Sequence, residues 1–131
     1  MSTRCMIEVE GIKAKLYRHS DGYPDGQWGV LATLVPFVNK FLEVRGWDPE
    51  YLLARIAQDQ MNGYDARVKE RYGDGVDVLG FGLDTSYHFD LEYIYWVRKN
   101  GTIEVWGSSN GRRTKLVSTV NPKTWRLVNE K

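Results

Sequence analysis

The sequence predicts an α+β protein, in which an antiparallel sheet of about four to six strands carries two or three helices on one face. Three observations predict this fold class. Alternating apolar and polar residues open the chain, helical spacing of apolar residues fills residues 30–61, and aromatic and β-branched residues return after Tyr87. Strands, then helices, then strands along 131 residues indicate one domain over residues 1–131.

The N-terminal segment is predicted to be β structure. Apolar residues alternate over residues 5–9 and resume out of phase at Ile12, with Gly11 at the change of phase. Glycine is the usual residue both in a tight turn and in a β-bulge. Residues 10–11 therefore form either a hairpin turn or a bulge in one longer strand.

A turn-rich stretch follows at residues 19–26. It holds two Asp-Gly pairs, and Tyr23 precedes Pro24, which disfavours helix at Tyr23. We expect an exposed or ligand-facing loop here, with Tyr23 as a candidate binding residue.

Helices are predicted over the next segment. The apolar stripe of residues 30–42 contains Pro36, where we expect a kink or a fresh helix start. Asp48 suits the N-cap of a second helix, which we expect to stop at residues 62–63, an Asn-Gly pair. A short third helix over residues 64–72 completes the predicted set.

The second half of the chain predicts sheet. Residues 76–83 form a glycine-punctuated strand candidate, and residues 87–99 form a longer one rich in aromatic residues. The Asn-Gly pair at residues 100–101 favours a two-residue hairpin turn into a strand over residues 102–106. Residues 116–120 predict one more strand.

The long strand would present two different faces, because alternate side chains point opposite ways. The apolar face, which should meet the helices, comprises Tyr87, Phe89, Leu91, Tyr93, Tyr95 and Val97. On the other face, a two-residue turn places Trp96 opposite Val105 and Arg98 opposite Ile103. Either the C-terminal segment with Trp125 covers that face, or it is a docking surface with Trp96 as anchor and Arg98 at its rim.

Composition narrows the classes of function. Lys and Arg number 18 against 17 Asp and Glu, which excludes a strongly acidic nucleic-acid mimic and gives no support to an electrostatic nucleic-acid binder. Thirteen of the seventeen aromatic residues are Trp or Tyr, types enriched at binding surfaces. Arg112, Arg113 and Lys115 end a predicted flexible loop and either contact an acidic or phosphate-bearing partner or form solvated surface.

Cysteine usage and hydropathy predict an ordinary cytoplasmic protein. Cys5 is the only cysteine, which excludes an intramolecular disulfide and a multi-cysteine metal site, and we expect it in the core. No apolar signal segment follows the first residues, and the longest apolar run, residues 30–38, is far shorter than the roughly 20 residues of a membrane span.

Each of the two histidines precedes an aspartate by two residues, as His19 with Asp21 and His88 with Asp90. Two imidazoles with carboxylates suit Zn, Mn or Fe, and a carboxylate can also make a histidine a general acid or base. The competing interpretation places the first pair in a turn and the second on the solvated face of an edge strand. A shared metal site would favour a small metal-dependent hydrolase, or a metal- or ligand-binding domain.

Two segments carry a resemblance to known proteins. Residues 17–24 contain a His-x-Asp-Gly-Tyr-Pro turn, and residues 87–95 contain a His-x-Asp-x-Glu-Tyr strand. Together with the helical stretch between them, about two-thirds of the chain resembles small uncharacterised proteins of bacteriophages, prophages and other mobile elements. The resemblance implies a small accessory protein in a bacterium or its phage, and it implies that the two His-x-Asp segments belong together.

The sequence therefore predicts a non-enzymatic protein that binds another macromolecule. In a mobile-element setting the target would be a host complex, including a defence complex that the protein inhibits. A protein partner is expected, whereas nucleic acid and membrane are not, and an exposed β edge could support a homodimer. No cofactor is expected outside the metal-binding alternative. The predicted binding residues are Tyr23, Trp96, Arg98, Ile103, Val105, Arg112 and Arg113.

Overall fold

The structure is a computed structural model that describes residues 3–73 and 80–127. It confirms the α+β fold class. The elements in chain order are β1 (Cys5–Val9), β2 (Lys15–Arg18), α1 (Val30–Val44), α2 (Pro49–Tyr72), β3 (Phe81–Asp84), β4 (Tyr93–Val97), β5 (Ile103–Ser109) and β6 (Arg112–Val120).

The six strands form one sheet in the order β3-β2-β1-β4-β5-β6. Four of the five neighbouring pairs are antiparallel, as predicted, while β1 and β4 at the centre are parallel. A parallel pair needs a long crossover, and the chain between β1 and β4 supplies one that contains β2, both helices and β3. The first strand and the strand that follows the crossover therefore lie side by side at the middle of the sheet.

The first two strands form a hairpin, which settles the alternatives for Gly11. Cys5 pairs with Arg18 and Ile7 with Leu16 in antiparallel register. Gly11 has a φ of +90°, a left-handed conformation that glycine adopts without steric strain. The change of phase in the sequence is therefore a turn between strands.

α2 is longer than predicted, whereas α1 covers the predicted apolar stripe of residues 30–42. Pro36 lies inside α1, which begins at Val30, so the predicted fresh start at Pro36 is wrong. The predicted stop at residues 62–63 and the separate third helix are also wrong, because α2 runs unbroken from Pro49 to Tyr72. The helix continues through Gly63 because a glycine inside a helix lowers its stability by only about 1 kcal/mol. Packing of the preceding turns offsets that loss. Within the described residues, neither helix is long and apolar enough to cross a membrane.

The helices pack on one face of the sheet and enclose the main core. Strand residues of alternating position, among them Ile7, Leu16 and Tyr95, meet the buried stripes of α1 and α2 there. The opposite sheet face, which we call the back face, carries a smaller buried cluster of Met6, Leu91 and Ile94. Tyr17, Tyr87 and Trp106 pack around that cluster.

The predicted strand over residues 87–99 is wrong in its first half. Only Tyr93–Val97 is a strand, and residues 85–92, the crossing segment, pass over the back face. Tyr87 and Leu91 accordingly pack on the back face, and Phe89 is 73% exposed, whereas Tyr93, Tyr95 and Val97 face the helices as predicted. Of the predicted strand 76–83, residues 76–79 lie outside the described residues, and β3 begins at Phe81.

Candidate functional site

The turn between β4 and β5 differs from the predicted one and changes the register of the hairpin. Arg98 N–H donates to Thr102 O at 2.8 Å and Gly101 N–H donates to Arg98 O at 2.9 Å, which encloses a three-residue turn. Gly101 has a φ of +91°, as expected for the left-handed residue of such a turn. Because the turn holds one more residue than predicted, the partners of β4 on β5 shift by one position.

The corrected register removes two residues from the predicted docking surface. Val97 pairs with Ile103, and Tyr95 pairs with Val105. Ile103 and Val105 are therefore on the helix side, where both are completely buried. The prediction that they line an exposed hairpin tip is wrong.

Trp96 remains on the back face, where arginines cover it. The guanidinium carbon of Arg98 lies 3.8 Å from the ring centre of Trp96, and that of Arg113 lies 3.7 Å from it. Two guanidinium groups at these distances would overlap on one ring face, so they occupy opposite faces. Arg113 also lies 5.5 Å from the ring centre of Trp106. We call Arg98, Trp96, Arg113 and Trp106 the Arg–Trp ladder.

In the part of the chain that the structure describes, carboxylates form ion pairs with only one arginine of the ladder. Arg98 contacts Glu10 at 3.0 Å and Glu104 at 2.7 Å, and the indole N–H of Trp106 donates to Glu104 at 2.9 Å. Hydrogen bonding from the Lys99 backbone N–H, followed by that from Arg98, lowers the pKa of Glu10 below its usual value. The charge of Arg98 is thus shared between two acids.

Arg113 has no such partner. No carboxylate of residues 3–73 and 80–127 forms an ion pair with it, and its buried Nη1 has no hydrogen-bond partner in that part of the chain. Cation–π contact with two indoles holds the guanidinium in place. Among the described residues, the guanidinium of Arg113 is therefore the one in the ladder that forms no ion pair.

The three basic residues of the predicted loop separate onto two faces. They belong to β6, since residues 107–113 form the end of β5, a turn and the start of β6 rather than a flexible loop. Arg113 pairs with Ser108, whereas Arg112 and Lys115 pair with Ser109 and Gly107. Directly opposite residues share a face, so only Arg113 reaches the back face.

Apolar side chains border the ladder. Leu116 pairs with Trp106 across β5 and β6 and is 45% exposed. Phe89 of the crossing segment lies beside the β5–β6 turn, where a Cβ added to Gly111 would be 3.4 Å from its ring. Trp125, in contrast, packs against the helix-side core. The C-terminal segment with Trp125 was one predicted cover for the back face. The crossing segment and the arginines of the ladder cover it instead.

A partly buried hydrogen bond holds the crossing segment on the sheet. The hydroxyl of Tyr87 donates to a carboxylate oxygen of Glu8, which is a buried residue of the central strand β1. Burial, and next the contact with Glu8, raises the pKa of Tyr87 well above its usual value, so the hydroxyl stays protonated as a donor. Lys15 lies over the Tyr87 ring at 5.0 Å.

The two histidines come together on the back face, but around a tyrosine. Tyr17 lies between them in contact with both: its hydroxyl is 2.9 Å from Nδ1 of His19, and its ring stacks on His88 at 4.1 Å between centres. His88 also lies 3.3 Å from a carboxylate oxygen of Asp84. Of the two His-x-Asp segments, the structure thus brings the imidazoles together, through their shared contact with Tyr17.

The two aspartates of those motifs contact arginines. Asp21 pairs with Arg67 at 2.5 Å, and Asp90 pairs with Arg4 at 3.2 Å. Among the residues that the structure describes, no group of three or more His, Cys, Asp and Glu side chains is placed to hold a metal ion. The metal-binding alternative on His19, Asp21, His88 and Asp90 stays a prediction.

Tyr23 lies on the helix side, at a second candidate site that the sequence indicated only through its turn. Its carbonyl accepts the N–H of Val30 at 2.9 Å, which ties the turn to the start of α1. The side chain lines an open cleft with Trp28 and Arg67. Trp28 and Trp106 were both missed. The predicted two-residue turn would place Trp106 opposite Tyr95 on the helix side, whereas the observed register pairs it with Ile94 on the back face.

Comparisons with known proteins give little additional information. No protein-family model and no solved structure matches the chain. Mitochondrial intermediate peptidase of Candida albicans is 29% identical over 83 residues, which cover 63% of this chain and 10% of the peptidase. The chain thus spans about a tenth of the length of that curated relative, and the likeness assigns it neither a family nor an activity.

Proposed function

We propose that the protein acts by binding another protein through the back face of its sheet. The observation that carries the proposal is the guanidinium of Arg113, which forms no ion pair among the described residues and is held against Trp96 and Trp106. Trp and Arg are the residue types most enriched among those that dominate binding energy at interfaces. A rigid pair of indoles with an available guanidinium loses little conformational freedom when a partner binds.

The partner that fits this surface presents a carboxylate flanked by apolar side chains. Arg98 already contacts Glu10 and Glu104, so an incoming carboxylate would pair with Arg113. Leu116, opposite Trp106, and Phe89, beside the β5–β6 turn, supply exposed apolar area near the ladder. Because both faces of Trp96 are covered, the partner would contact the edge of that ring and not stack on it.

The likeness to phage and prophage proteins supports a setting for this activity. In this proposal the protein is cytoplasmic, non-enzymatic and directed at a bacterial host complex, with a defence complex as the first target to test. Strand addition at the β6 edge plays no part in it. Two register irregularities and the basic residues of β6 are features that limit edge-to-edge pairing.

Two neighbouring arginines on opposite faces allow a matched test. Tagged wild-type protein, Arg113→Ala, Trp106→Ala and Arg112→Ala would be used to capture partners from a bacterial lysate. A partner bound at the ladder should be retained by Arg112→Ala and reduced roughly tenfold by Arg113→Ala, which corresponds to the loss of about 1.4 kcal/mol. Equal losses in both arginine variants, or no reproducible partner of the wild-type protein, would contradict the proposal.

A further inference from the structure

A cleft on the helix side of the sheet lies between the end of β2, the start of α1 and the middle of α2. Its volume is about 260 Å³, close to the lower end of the range for small-molecule sites. The cleft shares Trp28, Tyr64 and Arg67 with the open cleft beside Tyr23. Its lining also includes Arg18, Thr33, Asp59 and Gln60.

Arg18 is a buried cation with neutral partners. The residue is only 6% exposed. Its Nε donates to the carbonyl of Ser20 at 2.8 Å, and its Nη1 donates to Oε1 of Gln60 at 2.5 Å. Nε2 of Gln60 donates in turn to the hydroxyl of Thr33 at 2.8 Å, so the acceptor is held in place by a third side chain. The site is therefore built from ordered polar groups.

No carboxylate in the described parts of the chain forms an ion pair with Arg18. Burying a charge without a counter-charge is strongly unfavourable. The same burial lowers the pKa of Arg18 below its usual value. Asp21, the acid whose charge acts on Arg18, is paired with Arg67 instead. A ligand with a negative charge would supply Arg18 with a counter-ion that the described residues do not provide.

A second arginine and two aromatic rings form the mouth of the cleft. The guanidinium carbon of Arg67 lies 4.8 Å from the ring centre of Trp28, which is 52% exposed, and 5.7 Å from that of Tyr64. Arg18 approaches the same Tyr64 ring at 5.7 Å. Both guanidinium carbons thus lie 5.7 Å from the Tyr64 ring centre, and the carboxylate of Asp21 pairs with Arg67 and not with Arg18.

We propose that this cleft binds an oxyanion, a carboxylate or phosphate group of a small ligand, with Arg18 as the principal contact and Arg67 at the entrance. A guanidinium can hold either group through two parallel hydrogen bonds. This site is on the opposite side of the sheet from the Arg–Trp ladder and is independent of the proposed partner. Asp59, the carboxylate on the cleft wall, opposes the anion.

The test is thermal unfolding at constant ionic strength in chloride, inorganic phosphate or acetate. Occupancy of the cleft should raise the Tm of the wild-type protein by about 2–5 °C in phosphate, in acetate or in both, relative to chloride. Gln60→Glu places a carboxylate beside Arg18 and should abolish the rise, which also separates binding from the general stabilising effect of phosphate. Arg55→Gln, an exposed change on the same helix, should retain the full response.

The anion that raises the Tm shows whether the cleft prefers a phosphate group or a carboxylate group. No rise in the wild-type protein with either anion, or a rise of equal size in Gln60→Glu, would overturn the proposal. If Gln60→Glu does not fold, Asp59→Asn decides the question. Removing the opposing charge should lower the anion concentration that gives half of the Tm rise, and an unchanged concentration would also overturn the proposal.

Discussion

Tyr87 donates a hydrogen bond to Glu8 across the back face, and this contact joins the crossing segment to the central strand of the sheet. The crossing segment leads directly into β4, the parallel partner of β1. The hydrogen bond thus holds in place the segment that leads into the central strand β4. The same segment covers one end of the back face. Its removal should therefore affect stability more than most surface changes.

Tyr87→Phe should lower the free energy of unfolding by about 1–3 kcal/mol, because the buried carboxylate of Glu8 loses its donor. Tyr51→Phe is the matched control, since Tyr51 is an exposed tyrosine on α2 whose ring contact with Arg45 survives the change. The control should stay within about 0.5 kcal/mol of the wild-type protein. Urea denaturation measures both, and equal midpoints for the two variants would show that the hydrogen bond contributes nothing.

Arg113→Ala should destabilise the protein by about 1 kcal/mol through loss of its cation–π contacts with Trp96 and Trp106. Arg112→Ala, on the other face of the same strand, should change the unfolding free energy by less than about 0.5 kcal/mol. Acrylamide quenching of tryptophan fluorescence should increase in Arg113→Ala alone, because the guanidinium no longer covers the Trp96 ring. Identical quenching in both variants would contradict the stacked arrangement.

Stability should fall in alkaline solution because of Cys5. Burial raises the pKa of the Cys5 thiol from 9.0 to about 12, so the folded state keeps a proton that the unfolded state releases. The contribution of the Cys5 thiol to the free energy of unfolding is complete below pH 9. It is lost between pH 9 and about pH 12, at up to about 1.4 kcal/mol per pH unit.

Cys5→Ala isolates this effect, because the remaining titrations are common to both proteins. The difference in unfolding free energy between wild type and Cys5→Ala should be constant up to pH 9 and then shrink. Denaturation curves collected at a series of pH values provide the measurement. A difference that stays constant through pH 11 would mean that the thiol is not protected by burial.

Two glycines near the helix-side cleft should respond in opposite ways to alanine. A Cβ at Gly29 would lie 2.3 Å from the carbonyl oxygen of Asp25, so Gly29→Ala should cost at least about 3 kcal/mol. A Cβ at Gly63, inside α2, meets nothing within 4 Å, and Gly63→Ala should stabilise the protein by about 0.5–1 kcal/mol. Thermal unfolding followed by circular dichroism separates the two, and a stabilised Gly29→Ala would contradict the tight turn.

Local patterns in the sequence were sufficient for the fold class, because hydrophobic spacing reports which side of an element is buried. They failed where a distant partner decides the structure. Residues 87–91 alternate like a strand, yet within the predicted strand over residues 87–99 the residues that pair with β1 are 93–97. The hairpin register was missed in a similar way. The turn holds residues 99–101 and not only residues 100–101, and the additional residue moves Ile103 and Val105 into the core.

The candidate sites were predicted only in part, for the same reason. Trp96 and Arg113 were predicted as binding residues, but their contact with each other was not, because it joins two strands that are not neighbours in the sheet. Arg18 was missed, although its position two residues after the buried Leu16 places a cation on the core-facing side of β2. A charged residue in phase with a buried strand face was the available signal.

The parallel pairing of β1 with β4 has a consequence for synthesis of the chain. β1 precedes β4, so one edge of β1 remains unpaired until Tyr93–Val97 has left the ribosome. All five residues of β1 are buried in the finished protein, and an open strand of that composition can recruit other chains. Aggregation should therefore be a hazard of nascent chains that end before β4, whereas the completed sheet encloses that edge.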